Sequence, residues 1–283
     1  MIKIENLRKN YPGFSLDLDH LQVAEGTVCG LVGTNGSGKS TTFKILLGLI
    51  QPDAGKAEVL DQNAWKLPVS LKQEIGAVFN DSGFDCTFTL SDIAAVLKAF
   101  YPTFDEPYFY ELCAQMDLPQ NQAISKFSTG MAVRIKVISA ISHHPRVLIL
   151  DEPTAGLDVL ARHKILDLIS MFMEQPRRAV LISSHIASDL EEICDDFYMI
   201  HDGKLLLHQT IDNLLNHYGI LVLSQSQFDE LDKTGAVAMV KDRNAIRVLV
   251  SDRKFYQENY PDLVLDKSGI DDVIEIFEEG SRL

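Results

Sequence analysis

Apolar residues alternate at the start of the chain, at Ile2 and Ile4 and again at Phe14, Leu16 and Leu18, the period-2 pattern of half-buried strands. A turn at Glu25-Gly26 leads into a short apolar run, Val28, Cys29, Leu31 and Val32, which reads as a buried strand. Beyond it Phe43, Ile45, Leu46 and Leu49 recur at helix-like spacing. Around residues 85 to 145 the pattern is helical. Thr89-Leu90-Ser91-Asp92 and Thr103-Phe104-Asp105-Glu106 there resemble capping boxes ahead of apolar-periodic segments. "RVLIL" and "RAVLISS" bring back strand-like runs, each with a helical pattern after it, and "FYMIHDGKLLLHQ" reads as a hairpin turning at Asp202-Gly203. Strands alternating with helices predict an α/β fold, a mostly parallel sheet with helices on its faces. After about residue 218 the texture changes to a short mixed segment. It ends in "GIDDVIEIFEEG", where Ile270, Val273, Ile274 and Phe277 form one apolar helix face. The expected division is therefore residues 1–218 as the main domain and 219–283 as a small α+β appendage.

Composition narrows the classes of function. At 283 residues, 46% apolar and 23% charged, the chain has ordinary globular proportions. A formal net charge of −14 argues against nonspecific binding to nucleic acid or anionic lipid. Cys29, Cys86, Cys113 and Cys194 show no paired metal-ligand spacing and read as reduced thiols of a cytosolic protein. No run approaches the ~18 apolar residues of a membrane span, and "MIKIENLRKN" has no signal-peptide core. A soluble cytoplasmic protein is expected, and any membrane spans must come from another chain.

The chemistry centres on "GTNGSGKS", residues 33–40, with three glycines and one lysine in eight positions. It joins a predicted strand to a helix N-terminus, where free N–H groups and the helix dipole favour an anion. Glycines let the backbone wrap closely round a phosphate. Lys39 can reach the β- and γ-phosphates, and the Ser40 hydroxyl can bind Mg²⁺. A phosphate loop needs a metal carboxylate and a group that activates water. "VLILDEP" ends a strand run with two acids, Asp151 for Mg²⁺ through its water shell and Glu152 as general base. "LISSH" ends another strand at His185, which can hydrogen-bond the γ-phosphate and orient water, although alone it would read as a polar strand-end residue. In "KFSTGMAVRIKVISAIS", Ser128 reads as an N-cap before a stripe of Val133, Val137, Ala140 and Ile141, giving a second anion-binding helix end.

The order GTNGSGKS, FSTGM, LILDEP, AGLD and SSH resembles the ATP-binding-cassette (ABC) ATPases over roughly residues 1 to 215. The resemblance implies a P-loop NTPase of the ABC type, with an antiparallel N-terminal β part and a helical subdomain inserted at about 82–143. It implies two subunits paired head to tail, with ATP between the phosphate loop of one and the signature loop of the other. Gly33, Thr34, Asn35, Gly36, Ser37, Gly38, Lys39, Ser40 and Thr41 would then bind phosphate and metal. Ser128 and Gly130 would act on the partner's nucleotide, Asp151, Glu152 and His185 would carry out hydrolysis, and Asp158 would link the two sites. Tyr11 matches the aromatic that stacks on adenine, with a surface-turn tyrosine as the alternative. Two departures stand out: the signature reads FSTGM against the common LSGGQ, and Asn80 replaces the usual glutamine that senses Mg²⁺ and γ-phosphate, with Asp81 as a second candidate.

This resemblance implies the ATPase subunit of a membrane transporter, a drug, antibiotic or peptide exporter in overall wording. It would use ATP and Mg²⁺, pair with separate transmembrane permease subunits and form a homodimer or heterodimer with a second ABC ATPase. It would sit on the inner face of the cell membrane. The alternative is a soluble ABC ATPase of an assembly system such as iron–sulfur cluster biogenesis. Nucleic-acid-linked members are disfavoured by the single cassette, the short interval between Lys39 and Asp151, and the acidic charge.

Overall fold

The computed structural model describes residues 1–79, 81–241 and 245–282. Asn80 lies outside the described residues. The alternating start forms strands β1 (Ile2–Tyr11) and β2 (Phe14–Val23), antiparallel, and the run at 28 forms β3 (Val28–Val32). The phosphate-loop segment leads to α1 (Lys39–Leu46), followed by β4 (Ala54–Val59) and the short β5 (Gln62–Asn63). A single turn, α2 (Val69–Lys72), precedes β6 (Ile75–Val78). Three helices come next: α3 (Leu90–Phe100), α4 (Glu106–Gln115) and α5 (Thr129–Ile141). The chain then alternates through β7 (Val147–Asp151), α6 (Val159–Met173), β8 (Ala179–Ser183) and α7 (Ala187–Ile193). The hairpin β9 (Asp196–His201) and β10 (Lys204–Thr210) turns at Asp202 and Gly203, both at positive φ, and runs into α8 (Ile211–His217).

These strands make one ten-stranded sheet in the order β5-β4-β1-β2-β10-β9-β3-β8-β7-β6. Its central strands β9, β3, β8, β7 and β6 run parallel, and β5, β4, β1 and β2 supply the antiparallel part. Every residue of β3, β7 and β8 is buried, because α1 covers one face and α5, α6 and α7 the other.

Thr89 caps α3 as the sequence suggests, with Asp92 completing the box. The second expected box does not form. Asp105 caps α4 by accepting from the Tyr108 N–H, while the Thr103 hydroxyl donates to the His143 carbonyl. A helix starting two residues earlier would carry Pro107 where its missing N–H breaks the first complete turn; starting at Glu106 keeps the proline where that N–H has no helical partner.

The C-terminal segment folds as β11 (Gly219–Leu223), α9 (Gln225–Glu230), β12 (Ala236–Lys241), β13 (Ile246–Val250), α10 (Arg253–Asn259), β14 (Val264–Lys267), α11 (Ile270–Glu279) and β15 (Ser281–Arg282). The sheet order β14-β11-β13-β12-β15, antiparallel throughout, is the split βαβ arrangement of ferredoxin-like folds with one strand added. One face packs around Leu221, Phe228, Val248 and Tyr256. The other is covered by the apolar side of α11, whose Ile270, Val273 and Phe277 join the core around α7 and α8. Polar contacts tie the units together, among them Glu191 of α7 accepting from the Ile270 N–H at 2.7 Å and Arg253 donating to the Asn216 carbonyl at 3.0 Å.

Candidate functional site

A cleft of about 210 Å³ opens where β3 ends, lined by Phe14, Thr34, Asn35, Gly36, Gly38, Lys39, Ser40, Thr41 and Glu152. The loop shape depends on its glycines. Gly33 sits at φ 151°, and a Cβ there would collide with the Ile200 carbonyl oxygen. Gly38, at φ 116°, heads α1, and a Cβ there would lie 2.6 Å from Leu16. Both positions are therefore closed to side chains, which keeps the loop backbone tightly packed against β2 and β9. Gly33 and Ser37 do not line the cleft; Ser37 is buried, and its carbonyl accepts from the Gly203 N–H at 3.0 Å, fastening the loop to the β9–β10 turn.

Lys39 is 5% exposed. Its ammonium folds back onto the loop, donating to the Gly33 carbonyl at 2.6 Å and the Thr34 carbonyl at 3.2 Å, and lies 3.5 Å from Glu152 Oε1. An anion in the cleft gives this cation a partner in place of those neutral carbonyls.

The acids arrive from adjacent strand ends. Parallel pairing of β7 with β8 sets Asp151 opposite Ser183. The Ser183 hydroxyl donates to Asp151 Oδ1 at 2.8 Å and accepts from the Glu152 N–H at 2.9 Å. Glu152 leaves the strand at φ 52°, a left-handed conformation that costs a non-glycine residue free energy and turns its side chain toward Lys39. Its Oε2 accepts from the His185 N–H at 3.1 Å and lies 2.6 Å from His185 Nδ1. Its Oε1 is buried with no hydrogen-bond partner.

A second recess of about 360 Å³ adjoins the first and is lined by Ser40, Lys44, Phe79, Asp81 and Asp151. Asp81 lies 3.8 Å from Lys44 with its side chain mostly exposed. Two carboxylates and a hydroxyl suit a hard cation. Among the described residues no cluster of three or more His, Cys, Asp or Glu could hold a metal by itself.

The remaining predicted residues lie apart from this cleft. Ser128 caps α5, accepting from the Met131 N–H at 3.3 Å; neither it nor Gly130 lines either recess. Asp158 caps α6, accepting from the Ala161 N–H at 2.9 Å, and is followed by the exposed Val159 and Leu160. Tyr11 stands at the end of β1, its ring centroid 6.4 Å from that of Phe14. Phe14, which does line the cleft, is absent from the sequence-derived set, as is Ser183. Signals for both exist, an aromatic just past the Pro12-Gly13 turn and a small polar residue closing a strand, but neither specifies an address.

Among the described residues no helix is long and apolar enough to cross a membrane. The sequence profile of the ABC transporter family matches residues 16–155. The bacitracin transport ATP-binding protein BcrA of Bacillus licheniformis is 34% identical over 218 residues, spanning 76% of this chain and 71% of that protein. The lantibiotic transport ATP-binding protein SrtF of Streptococcus pyogenes is 30% identical over 219 residues, spanning 76% and 93%. Among solved structures, an ATP-binding subunit of an ABC transporter matches with a TM-score of 0.69 and 25% identity over 76% of this chain and 91% of that one. A dimeric ATP-binding cassette in a post-hydrolysis state with ADP and Pi bound shares the fold, with a TM-score of 0.66 and 21% identity over 75% and 99%. These relatives give the iron–sulfur assembly alternative no support. Relatives of this identity and coverage, for a chain whose phosphate loop, acid pair and histidine meet at neighbouring strand ends, show it to be an ATPase of the ABC transporter ATP-binding family.

Proposed function

We propose that this chain hydrolyses ATP to drive export of an antibiotic- or peptide-type substrate through separate transmembrane subunits. The names of its relatives, bacitracin and lantibiotic transport ATP-binding proteins, support that substrate class. One observation carries the catalytic assignment. Glu152 is held by His185 through one oxygen, while the other is buried without a hydrogen-bond partner and paired at 3.5 Å with the phosphate-loop lysine.

In this reading Thr34, Asn35, Gly36, Gly38, Lys39, Ser40 and Thr41 take the phosphates, Gly33 and Ser37 hold the loop's shape from beneath, and Lys39 exchanges its loop carbonyls for the β- and γ-oxygens. Glu152 Oε1 accepts the proton of the water that attacks the γ-phosphorus. The ammonium of Lys39 meets charge on the phosphoryl oxygens as the bond to ADP breaks. His185 orients Glu152 and faces the γ-phosphate. Ser40 and Asp151 suit Mg²⁺, which takes few protein ligands and keeps water and phosphate oxygens; it would neutralise phosphate charge there. Asn80 or Asp81 takes the sensing role of the family's glutamine. Tyr11, with Phe14 added, offers the adenine an aromatic surface.

Ser128 and Gly130 act on the nucleotide of a second ATPase chain, a copy of this one or a related subunit, and Asp158 links the two sites. Their distance from this chain's own cleft and the exposed Val159 and Leu160 beside Asp158 support the arrangement. The permease docks in the groove of about 460 Å³ that opens beside Asp81, between α3 and α5, where Phe84, Phe100 and Tyr101 present apolar surface. The ATPase would thus sit on the inner face of the cell membrane. Residues 1–218 form the ATPase unit and 219–283 an appended one, since every strand of the second sheet follows Tyr218.

The test is Glu152→Gln, which keeps size and hydrogen bonding but removes the base. Hydrolysis should fall about 10²-fold or more while ATP still binds. A normal turnover rate would remove Glu152 from this role.

A further inference from the structure

The last turn of α11 reaches the phosphate loop. Glu278 Oε1 accepts a hydrogen bond from the Thr34 hydroxyl at 2.9 Å, joining residues 244 positions apart. The same oxygen lies 3.1 Å from His201 Nδ1, on the hairpin whose Ile200 carbonyl closes over Gly33. The Glu278 side chain is only 17% exposed, while Thr34 stands exposed on the loop. On its other side Thr34 lines the nucleotide cleft and accepts from Lys39 through its carbonyl. The helix carrying Glu278 is itself fixed. Arg247 of β13 pairs with Asp272 at 2.7 Å, and the α11 N-terminus is bonded to Glu191 of the ATPase unit.

We propose that Glu278 is a positioning residue for ATP binding: from the C-terminal unit it holds Thr34, and with it the front of the phosphate loop, in the shape that receives nucleotide. The proposal rests on the nucleotide-site reading above. A loop with glycines at 33, 36 and 38 has more backbone freedom to lose than an ordinary turn. Any of that freedom removed in advance need not be lost when ATP binds. A hydrogen bond to a carboxylate is among the stronger anchors available, and Thr34 sits in the glycine-rich stretch itself.

Glu278 also brings a negative charge toward a site for phosphates, an effect of opposite sign. Salt screening over about 8 Å at physiological ionic strength reduces that repulsion. The hydrogen bond operates at contact. The anchor therefore outweighs the repulsion, and glutamine, which keeps an acceptor oxygen without the charge, separates the two.

Binding of a fluorescent ATP analogue and steady-state hydrolysis are measured on the full chain with Glu278→Ala, Glu278→Gln, Thr34→Val and Thr34→Ser. Glu278→Ala and Thr34→Val should each raise Kd and KM by about 3- to 10-fold, with kcat at saturating ATP changed less than about twofold. Glu278→Gln and Thr34→Ser should restore most of the affinity. The Thr34→Val/Glu278→Ala double variant should bind no worse than the weaker single variant. If Glu278→Ala does not fold, the threonine pair and Glu278→Gln carry the test, because each preserves the packing of α11.

Unchanged or tighter binding in Glu278→Ala, a Glu278→Gln variant as impaired as Glu278→Ala, or additive losses in the double variant would overturn the proposal. Lys39→Ala runs in parallel. If it binds ATP normally, the nucleotide-site reading has failed and takes this proposal with it; if it loses binding while Glu278→Ala does not, this proposal alone falls.

Discussion

Glu152 Oε2 lies 2.6 Å from Nδ1 of His185, which also donates its backbone N–H to the same oxygen at 3.1 Å. Two contacts on one carboxylate oxygen fix the carboxyl plane and leave Oε1 toward the cleft. His185→Ala removes one of them and frees the carboxylate to rotate. The expected result is a fall in kcat of about 10- to 100-fold with little change in ATP affinity. Stopped-flow single-turnover hydrolysis separates the two quantities, and an unaltered single-turnover rate would leave His185 without this function.

Asp81 shares a recess with Ser40 and Asp151 but is mostly exposed and faces Lys44 at 3.8 Å. An exposed pair of this kind contributes little. Asp81→Ala should lower hydrolysis less than about threefold, as expected for an exposed charge. Asn80→Ala should lower it more, most visibly with the permease attached, with ATP affinity nearly unchanged. Loss of turnover in Asp81→Ala alone would assign the sensing role to Asp81.

Leu160, 76% exposed, opens α6 two residues beyond Asp158. Scattered exposed leucines are ordinary; one beside the residue proposed to link two sites is a candidate for coverage by the partner. Introducing Leu160→Asp into the Glu152→Gln background should weaken ATP-dependent dimerisation about tenfold or more, because an unpaired carboxylate would enter the interface. Monomer melting temperature and ATP binding should stay the same. Light scattering with and without ATP reads the result, and undiminished dimerisation would put Leu160 outside the interface.

His143 predicts an acid sensitivity. It is 2% exposed and stacks on Tyr101 with ring centroids 4.0 Å apart. Burial pushes its pKa down to about 4, outweighing the backbone groups of Ser139 and Ile75 that favour the charged form. An unfolded histidine takes up its proton near pH 6.5, so stability from the neutral ring is present above that pH. It is lost progressively as pH falls to about 4. The full loss is on the order of 3 kcal/mol, from ~1.4 kcal/mol per pH unit across that window. Urea melts at pH 7 and 4.5 should show wild type losing more stability than His143→Gln. Parallel losses would mean that other groups set the acid limit.

The phosphate loop was legible because it is local. Gly33 to Ser40 form a strand-to-helix turn within eight residues, and each glycine reports a backbone shape that side chains would forbid. Strand alternation at Ile2 and Ile4, the Asp202-Gly203 turn and the Ser128 cap were readable for the same reason: their cause and effect lie within one turn or one pleat. The α4 start was misread by two residues because a capping motif is local, but Pro107 decides where the first complete turn can begin.

Motif order said that Asp151, Glu152 and His185 belong together, yet only the pairing of β7 with β8 brings their strand ends side by side, with Ser183 bridging the acid pair. Phe14 enters the cleft because β2 is laid beside β10 in the same sheet. No motif in the sequence singles out Glu278. The packing of α11 against α7 and the second sheet carries it across 244 positions to Thr34, and a contact at that separation depends on how two units dock, which no local pattern of residues encodes.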